Sequence, residues 1–71
     1  MNEIEEISIR TEFIKADAFL KFASVCATGG QAKWMIEEGQ MSVNGEVCTM
    51  RGKKLRAGDT ISVGGQTFRI V

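Results

Sequence analysis

Residues 28–45, TGGQAKWMIEEGQMSVNG, hold the signals for a helix start, a helix end and a hairpin turn in one continuous run. Thr28 is a residue type that caps helix N-termini, and glycine, here Gly39, is the type that most often follows a helix C-terminus. Asn44 and Gly45 form the dipeptide that most strongly indicates a two-residue hairpin turn. The stretch therefore predicts a helix that leads directly into a β-hairpin.

The predicted helix has an inner and an outer face. Ala32, Met35 and Ile36 share one face, which is the pattern of a helix packed on a core. Trp34 lies about 200° from Ala32 at 100° per residue, so its ring points away from that face. Two interpretations of Trp34 stay open: a platform that stacks on an unpaired base, or a partly buried ring that packs on a neighbouring loop or on the N-terminal strand.

Two elements are expected before this stretch. The apolar and polar alternation of residues 7–10, ISIR, predicts a short strand. Asp17 can cap a helix that runs to about Val25 and carries a broad apolar face. Four aromatic side chains fall within apolar patterns and are expected in the core: Phe13, Phe19, Phe22 and Phe68.

The later part of the chain predicts two hairpins. Asn44-Gly45 joins strands at 41–43 and 46–48, with Met41, Val43 and Cys48 on one side. Gly64-Gly65 joins strands at 60–63 and 66–70, and the register puts Ile61, Val63, Phe68 and Ile70 on one side. We therefore predict an α+β fold, in which two short helices pack on a small, mostly antiparallel sheet of about four to five strands. No repeat or linker is visible, so residues 1–71 are expected to form a single domain.

Composition limits the function to surface binding. The chain has 71 residues with nine basic and nine acidic side chains, so its net charge argues neither for nor against nucleic acid. The distribution is uneven, because residues 1–20 hold five acids and two bases whereas residues 21–71 hold four acids and seven bases. A domain of this size has too small a core to enclose a deep pocket. We expect a binding surface with a basic character.

The cysteines and the missing histidines argue against metal and enzyme chemistry. Cys26 and Cys48 are expected to be small buried hydrophobic residues, and without histidine they cannot supply the four ligands of a structural zinc site. No carboxylate pair or thiol has an evident activating neighbour. We expect no metal, no cofactor and no enzymatic activity. The acidic start lacks a long apolar run, which favours a cytoplasmic monomer without membrane association.

A basic loop is the main functional feature of the sequence. Arg51, Lys53, Lys54 and Arg56 lie within six residues with no acid between them. Such a patch suits phosphate groups. From composition alone, a solvated loop that merely keeps the protein soluble is the simpler interpretation.

The ordered set of motifs resembles the S-four domain, also called the alpha-L RNA-binding motif, over about residues 13–63. It is most similar to the small standalone bacterial members of that family, which carry a GGQAK helix start. The resemblance depends on these elements: Lys15-Ala16-Asp17, Thr28-Gly29, Ala32, Gly39, Val43, Asn44-Gly45, Leu55 and Gly58-Asp59. It implies the alpha-L fold and recognition of structured RNA, commonly ribosomal or transfer RNA, with a possible association with ribosomes.

The same resemblance implies which residues contact RNA. It carries that role onto six side chains: Lys15, Gln31, Lys33, Arg51, Lys53 and Lys54. Two departures from the family pattern weaken this assignment of RNA contacts, because Gly29 stands where the family often has arginine and Lys15 replaces the more usual arginine. Gly29 and Gly30 can instead offer backbone N–H groups to an anion at a helix N-terminus. The predicted interface consists of the six side chains, the two glycines, Trp34 and Arg56.

A second class of function is compatible with the sequence. The acidic N-terminal segment and Trp34 could meet a protein partner, which would make the chain an interaction adaptor. Replacing Lys53 and Lys54 with glutamate separates the two hypotheses, since it abolishes RNA association and leaves capture of a protein partner intact.

Overall fold

The computed structural model describes residues 3–71, and within them the chain forms seven strands and two helices. The elements follow in this order: β1 (Ile4–Ile7), β2 (Ile14–Lys15), α1 (Ala16–Phe22), α2 (Gly29–Glu37), β3 (Met41–Val43), β4 (Glu46–Cys48), β5 (Lys54–Leu55), β6 (Thr60–Val63) and β7 (Gln66–Ile70).

Five of the strands form one sheet in the order β1-β7-β6-β3-β4. All neighbours are antiparallel except β1 and β7, which run parallel, so the predicted mostly antiparallel sheet is confirmed. Both hairpins have the predicted registers, with Val63 opposite Gln66 and Ile61 opposite Phe68. The short strands β2 and β5 pair antiparallel in a separate small sheet, which sequence analysis had treated as loop.

The hydrophobic core lies between the helices and one face of the five-stranded sheet. The side chains predicted on the inner side of both hairpins are buried, as are Ala32 and Ile36 of α2. Phe19 of α1 meets Phe68 of β7 edge to face, with ring centroids 5.6 Å apart. Helix packing on alternate strand residues therefore produces the core that the periodicity predicts.

Cys26 and Cys48 are buried and unpaired, as predicted. The Cys26 thiol donates to the sulfur of Met35 at 3.2 Å, and burial raises the pKa of this thiol. The Cys48 thiol donates to the Met50 carbonyl at 3.4 Å. Both cysteines act as small packing residues with weak local hydrogen bonds.

Helix α2 begins and ends where the sequence predicts. The Thr28 hydroxyl accepts a hydrogen bond from the Gln31 N–H at 3.1 Å, which caps the helix start. After α2, Gly39 adopts a φ of 74°, and the N–H groups of Gly39 and Gln40 return to the carbonyls of Ile36 and Met35. This pair of bonds is a Schellman motif, which requires a left-handed residue after the helix.

Helix α1 differs from the prediction at both ends. Its N-cap is Lys15 and not Asp17, whose carboxylate instead accepts from the N–H of Ala18 at 2.8 Å. The helix ends at Phe22, earlier than Val25, because Ser24 adopts a left-handed φ of 62°. The N–H groups of Ser24 and Val25 then close a Schellman motif on Lys21 and Leu20.

Three further predictions need correction. The N-terminal strand is at Ile4–Ile7 and not at residues 7–10, because its register follows the parallel pairing with β7. Phe22 is 57% exposed, since the early end of α1 leaves its side chain outside the core. Phe13 is only half-buried, and its ring lies beneath the Lys54 ammonium.

The Thr28 cap yields a stability prediction. Thr28→Ala removes the acceptor of the Gln31 N–H, so the free energy of unfolding should fall by about 1 kcal/mol. In a domain of this size that corresponds to a decrease in Tm of roughly 4–8 °C. Thermal and urea unfolding measure the change.

Thr49→Ala is the matched control, because the exposed Thr49 side chain makes no hydrogen bond within residues 3–71. Equal losses of stability in the two variants would show that the cap does not hold the helix start.

Candidate nucleic-acid interface

The basic loop is fixed to the start of α1 by backbone hydrogen bonds. The Ala16 N–H donates to the Lys53 carbonyl at 2.9 Å, and the Asp17 N–H donates to the Arg51 carbonyl at 3.2 Å. A helix start leaves such N–H groups without acceptors inside the helix, and the side chain of the N-cap residue, Lys15, makes no capping hydrogen bond. The loop therefore supplies the cap of α1, and the backbone carrying Arg51 and Lys53 gains a defined position.

The pairing of β2 with β5 places two lysine residues directly opposite each other. Lys15 and Lys54 are direct cross-strand partners, and both are exposed. Like charges in this arrangement repel each other. The Lys54 ammonium also lies 4.8 Å from the centroid of the Phe13 ring, a cation–π contact that holds it over this region. We call Lys15, Arg51, Lys53 and Lys54 the loop cluster.

A tight turn presents the middle of the loop. The Lys53 N–H donates to the Met50 carbonyl at 3.2 Å, so Arg51 and Gly52 occupy the central positions of a four-residue turn. Arg51 and Lys53 are both exposed. Their side chains project from a turn whose Arg51 and Lys53 carbonyls both accept hydrogen bonds from the start of α1.

The C-terminal end of the basic loop, at Arg56, is held by the turn motifs Asn44-Gly45 and Gly58-Asp59. The Asp59 carboxylate accepts from the Arg56 N–H at 2.8 Å and from the Asn44 side-chain amide at 3.0 Å. The Asn44 side-chain oxygen in turn accepts from the Thr60 N–H at 2.9 Å. Asn44 and Asp59 therefore join their two turns to each other and fix the backbone at Arg56. Sequence analysis had assigned Asn44 and Asp59 to separate turns, with no contact between them.

A second polar feature lies at the start of α2. Gln31 completes a reciprocal cap, because its side-chain oxygen accepts from the Ala27 N–H at 3.2 Å. The N–H groups of Gly29 and Gly30 have no acceptor within residues 3–71, and both glycines are exposed. The Lys21 ammonium lies 4.0 Å from the position that a Cβ on Gly29 would occupy. We call Lys21 with these two N–H groups the helix-start site.

Lys21 was missed as a candidate because α1 alone gives no reason to choose it. A lysine in the last turn of a helix is adequately explained by the negative end of the helix dipole. Its position beside Gly29 depends on the angle between α1 and α2, which no local pattern specifies. The structure thus adds a cation where the family often has an arginine side chain.

The remaining predicted residues lie outside these two groups. Trp34 is 56% exposed on α2, one turn beyond Gly30, and Lys33 beside it is exposed as well. Helix side chains lean toward the N-terminus, which is the direction of Gly30 and Gln31 from Trp34. The large exposed area of Trp34 fits a stacking surface better than a packed ring.

Two acidic residues of the N-terminal segment lie at the opposite edge of the sheet. Glu5 and Glu6 belong to β1, whereas the basic loop follows β4, and β1 and β4 are the two edge strands. Four strand spacings separate them, or about 19 Å. The acidic pair on β1 therefore lies far from the basic loop.

Neither a metal centre nor a membrane-crossing helix emerges from residues 3–71. They contain no cluster of three or more cysteine, aspartate or glutamate side chains that could hold a metal ion. None of their helices is both long enough and apolar enough to cross a bilayer.

Comparison with known proteins agrees with a two-helix domain that carries a basic loop. A family model described as the S4 domain matches residues 7–71. The chain belongs to the S4 domain family, and its fold is the alpha-L motif.

Two bacterial relatives illustrate the similarity. "Probable ribosome maturation protein RlbA" of Bacillus subtilis (strain 168) is 44% identical over 66 residues, which cover 92% of this chain and 93% of that protein. YbcJ of Escherichia coli (strain K12) is 40% identical over 52 residues, covering 73% of this chain and 74% of YbcJ. A solution structure of Escherichia coli YbcJ, described as revealing an alpha-L motif involved in RNA-binding, superposes with a TM-score of 0.74 and 32% identity. The superposition covers 100% of this chain and 91% of that one.

The juxtaposed lysines yield a second prediction. Lys15→Glu replaces repulsion from Lys54 by attraction and puts a negative charge at the positive end of α1, so the free energy of unfolding should rise by about 0.5 kcal/mol at low salt. Lys15→Gln should give an intermediate value. Urea unfolding at low and at 1 M salt measures the series.

The gain should vanish at 1 M salt, where charge interactions are screened. A loss of stability in Lys15→Glu at low salt would contradict the proposed electrostatic conflict between the two lysines.

Proposed function

We propose that this chain is a non-enzymatic RNA-binding module that recognises structured RNA of the ribosomal or transfer RNA class in the cytoplasm. The observation that carries the proposal is the loop cluster, in which Lys15 and Lys54 are paired directly across two strands. Such a pair opposes folding in the absence of an anion. A phosphate group between the two ammonium groups would turn their repulsion into attraction.

The fixed backbone of the loop supports recognition of shape as well as charge. Arg51 and Lys53 project from a turn that is hydrogen-bonded to α1, so fewer conformations are lost when they bind phosphates. Helical RNA is read mainly through its backbone and its shape, with little contact to base edges. A rigid set of cations suits this mode of recognition.

The helix-start site supplies a second place for a phosphate. Two backbone N–H groups, the positive end of the α2 dipole and the Lys21 ammonium act in the same direction there. Lys15 and Lys21 stand at the two ends of α1, about 9 Å apart along its axis at 1.5 Å per residue. We infer that α1 spaces two phosphate sites along the RNA backbone.

Side chains of α2 extend this surface. The Gln31 side-chain NH₂ group remains able to donate, since only its oxygen is used in the cap. Lys33 adds a cation, and the exposed Trp34 ring offers a face for an unpaired base, worth about 1 to 3 kcal/mol if it stacks. Arg56 contributes charge at the end of the basic segment.

The class of RNA is inferred from the relatives. RlbA is named for ribosome maturation, and YbcJ is described as having a motif involved in RNA-binding. The present chain covers most of the length of both, so a role in handling ribosomal RNA is the proposal that fits the comparison best. The absence of histidine from the chain fits a binding module without catalysis.

Salt dependence tests phosphate binding directly. If about four phosphates are neutralised, raising salt from 50 to 200 mM should weaken binding to a ribosomal RNA hairpin by several tens of fold. Lys53→Gln should lower the slope of log affinity against log salt by about 0.7 to 0.9. Fluorescence anisotropy with a labelled hairpin gives both values, and unlabelled ribosomal and transfer RNA compete for the same complex.

Arg69→Gln is the charge-matched control, because Arg69 is exposed on β7 and lies opposite Glu6 of β1. Its slope should equal that of the unchanged protein. Binding that does not depend on salt, or equal effects of the two variants, would contradict the proposed surface. Stronger competition by an unstructured RNA than by either structured one would contradict the proposed RNA class.

A further inference from the structure

A groove along the edge strand β4 has a composition that phosphate binding does not explain. It measures about 430 Å³, which falls within the range of small-molecule sites. Its lining includes Glu46, Val47, Thr49, Met50 and Lys53. The groove adjoins the loop cluster, because Lys53 belongs to both.

The apolar part of the groove is unusually exposed. Val47 is 63% exposed and Met50 is 69% exposed, the highest values among the large hydrophobic side chains of residues 3–71. Neither residue belongs to the buried core. Exposed apolar groups that lie together beside charged residues are typical of an interaction surface.

The polar part of the groove combines opposite charges. Lys53 attracts phosphate, whereas the Glu46 carboxylate repels it and accepts hydrogen bonds from amino groups. A ligand that satisfies both must carry a negative group at one end and N–H donors at the other, with a flat apolar body between them. A nucleotide whose base carries an amino group has this distribution.

We propose that the β4 groove accepts a single unpaired guanine base from the RNA that the loop cluster holds. This inference rests on the proposed function and adds a base preference to it. The base lies against Met50, and its phosphate stays at Lys53. The N1–H and the N2 amino group of guanine both donate to the Glu46 carboxylate, a charge-assisted pair of bonds.

Guanine is favoured over uracil for a specific reason. An unstacked base exposes its Watson–Crick edge, and that edge of guanine presents two adjacent donors to a carboxylate. Uracil presents one donor between two acceptors, so one carboxylate oxygen faces a carbonyl. The groove should therefore discriminate between a bulged guanosine and a bulged uridine.

Three RNA hairpins test the inference. They share one stem, and they carry a bulged guanosine, a bulged uridine or no bulge. The unchanged protein should bind the guanosine hairpin about tenfold more tightly than either other hairpin, as measured by fluorescence anisotropy. Met50→Ala should reduce that advantage to about twofold or less and leave binding of the unbulged hairpin unchanged.

Two variants complete the design. Glu46→Gln keeps the size of the side chain but offers only one acceptor, so the preference for guanosine over uridine should fall to about threefold. Ile4→Ala is the control, since Ile4 is an exposed apolar residue on the opposite edge strand, and it should change none of the three affinities. The methyl resonance of Met50 should shift only with the guanosine hairpin.

The outcomes separate the two proposals. Equal binding of all three hairpins would overturn the groove inference and leave RNA binding in place, with the β4 edge available to a protein strand instead. Equal effects of Met50→Ala and Ile4→Ala would also overturn it. Failure of the unchanged protein to bind any of the hairpins would contradict the proposed function together with the inference.

Discussion

Two backbone hydrogen bonds, from the N–H groups of Ala16 and Asp17 to the carbonyls of Lys53 and Arg51, join the start of α1 to the basic loop. A helix start needs acceptors for its first N–H groups, and Lys15, at the N-cap, has a side chain that cannot accept. The loop meets that need and is ordered in return. The same contact that stabilises the helix therefore brings four basic side chains together, even though they repel one another.

The rest of the fold holds the two partners of this contact in position. Core packing of the helices on the sheet fixes the direction of α1, while the bonds between Asn44 and Asp59 hold the backbone beyond β5. Glu5 and Glu6 lie on β1, about 19 Å away across the sheet. Without net charge, the chain still presents a locally basic surface, because topology and not composition decides where the charges lie.

Local signals predicted the parts of the structure that local chemistry determines. Thr28, Gly39 and Asn44 act within a few residues of themselves, so α2 and the first hairpin were placed correctly. The cap of α1 could not be predicted, because it comes from residues far along the chain. The left-handed Ser24 ended α1 early and exposed Phe22, and the approach of Lys21 to Gly29 depends on how two helices cross. The charge pattern and the family resemblance together indicated the loop as a candidate site, and the structure supplied the reason why the loop is ordered.

The central claim is that α1, the basic loop and the start of α2 form one RNA-binding surface. Amide chemical shift mapping of the full chain with a ribosomal RNA hairpin tests it most directly. The account predicts that the largest shifts occur at residues 15–17, 29–31 and 51–54 and at the Trp34 indole N–H, with β1 unchanged. The largest shifts at residues 4–7, with none in the loop, would contradict it.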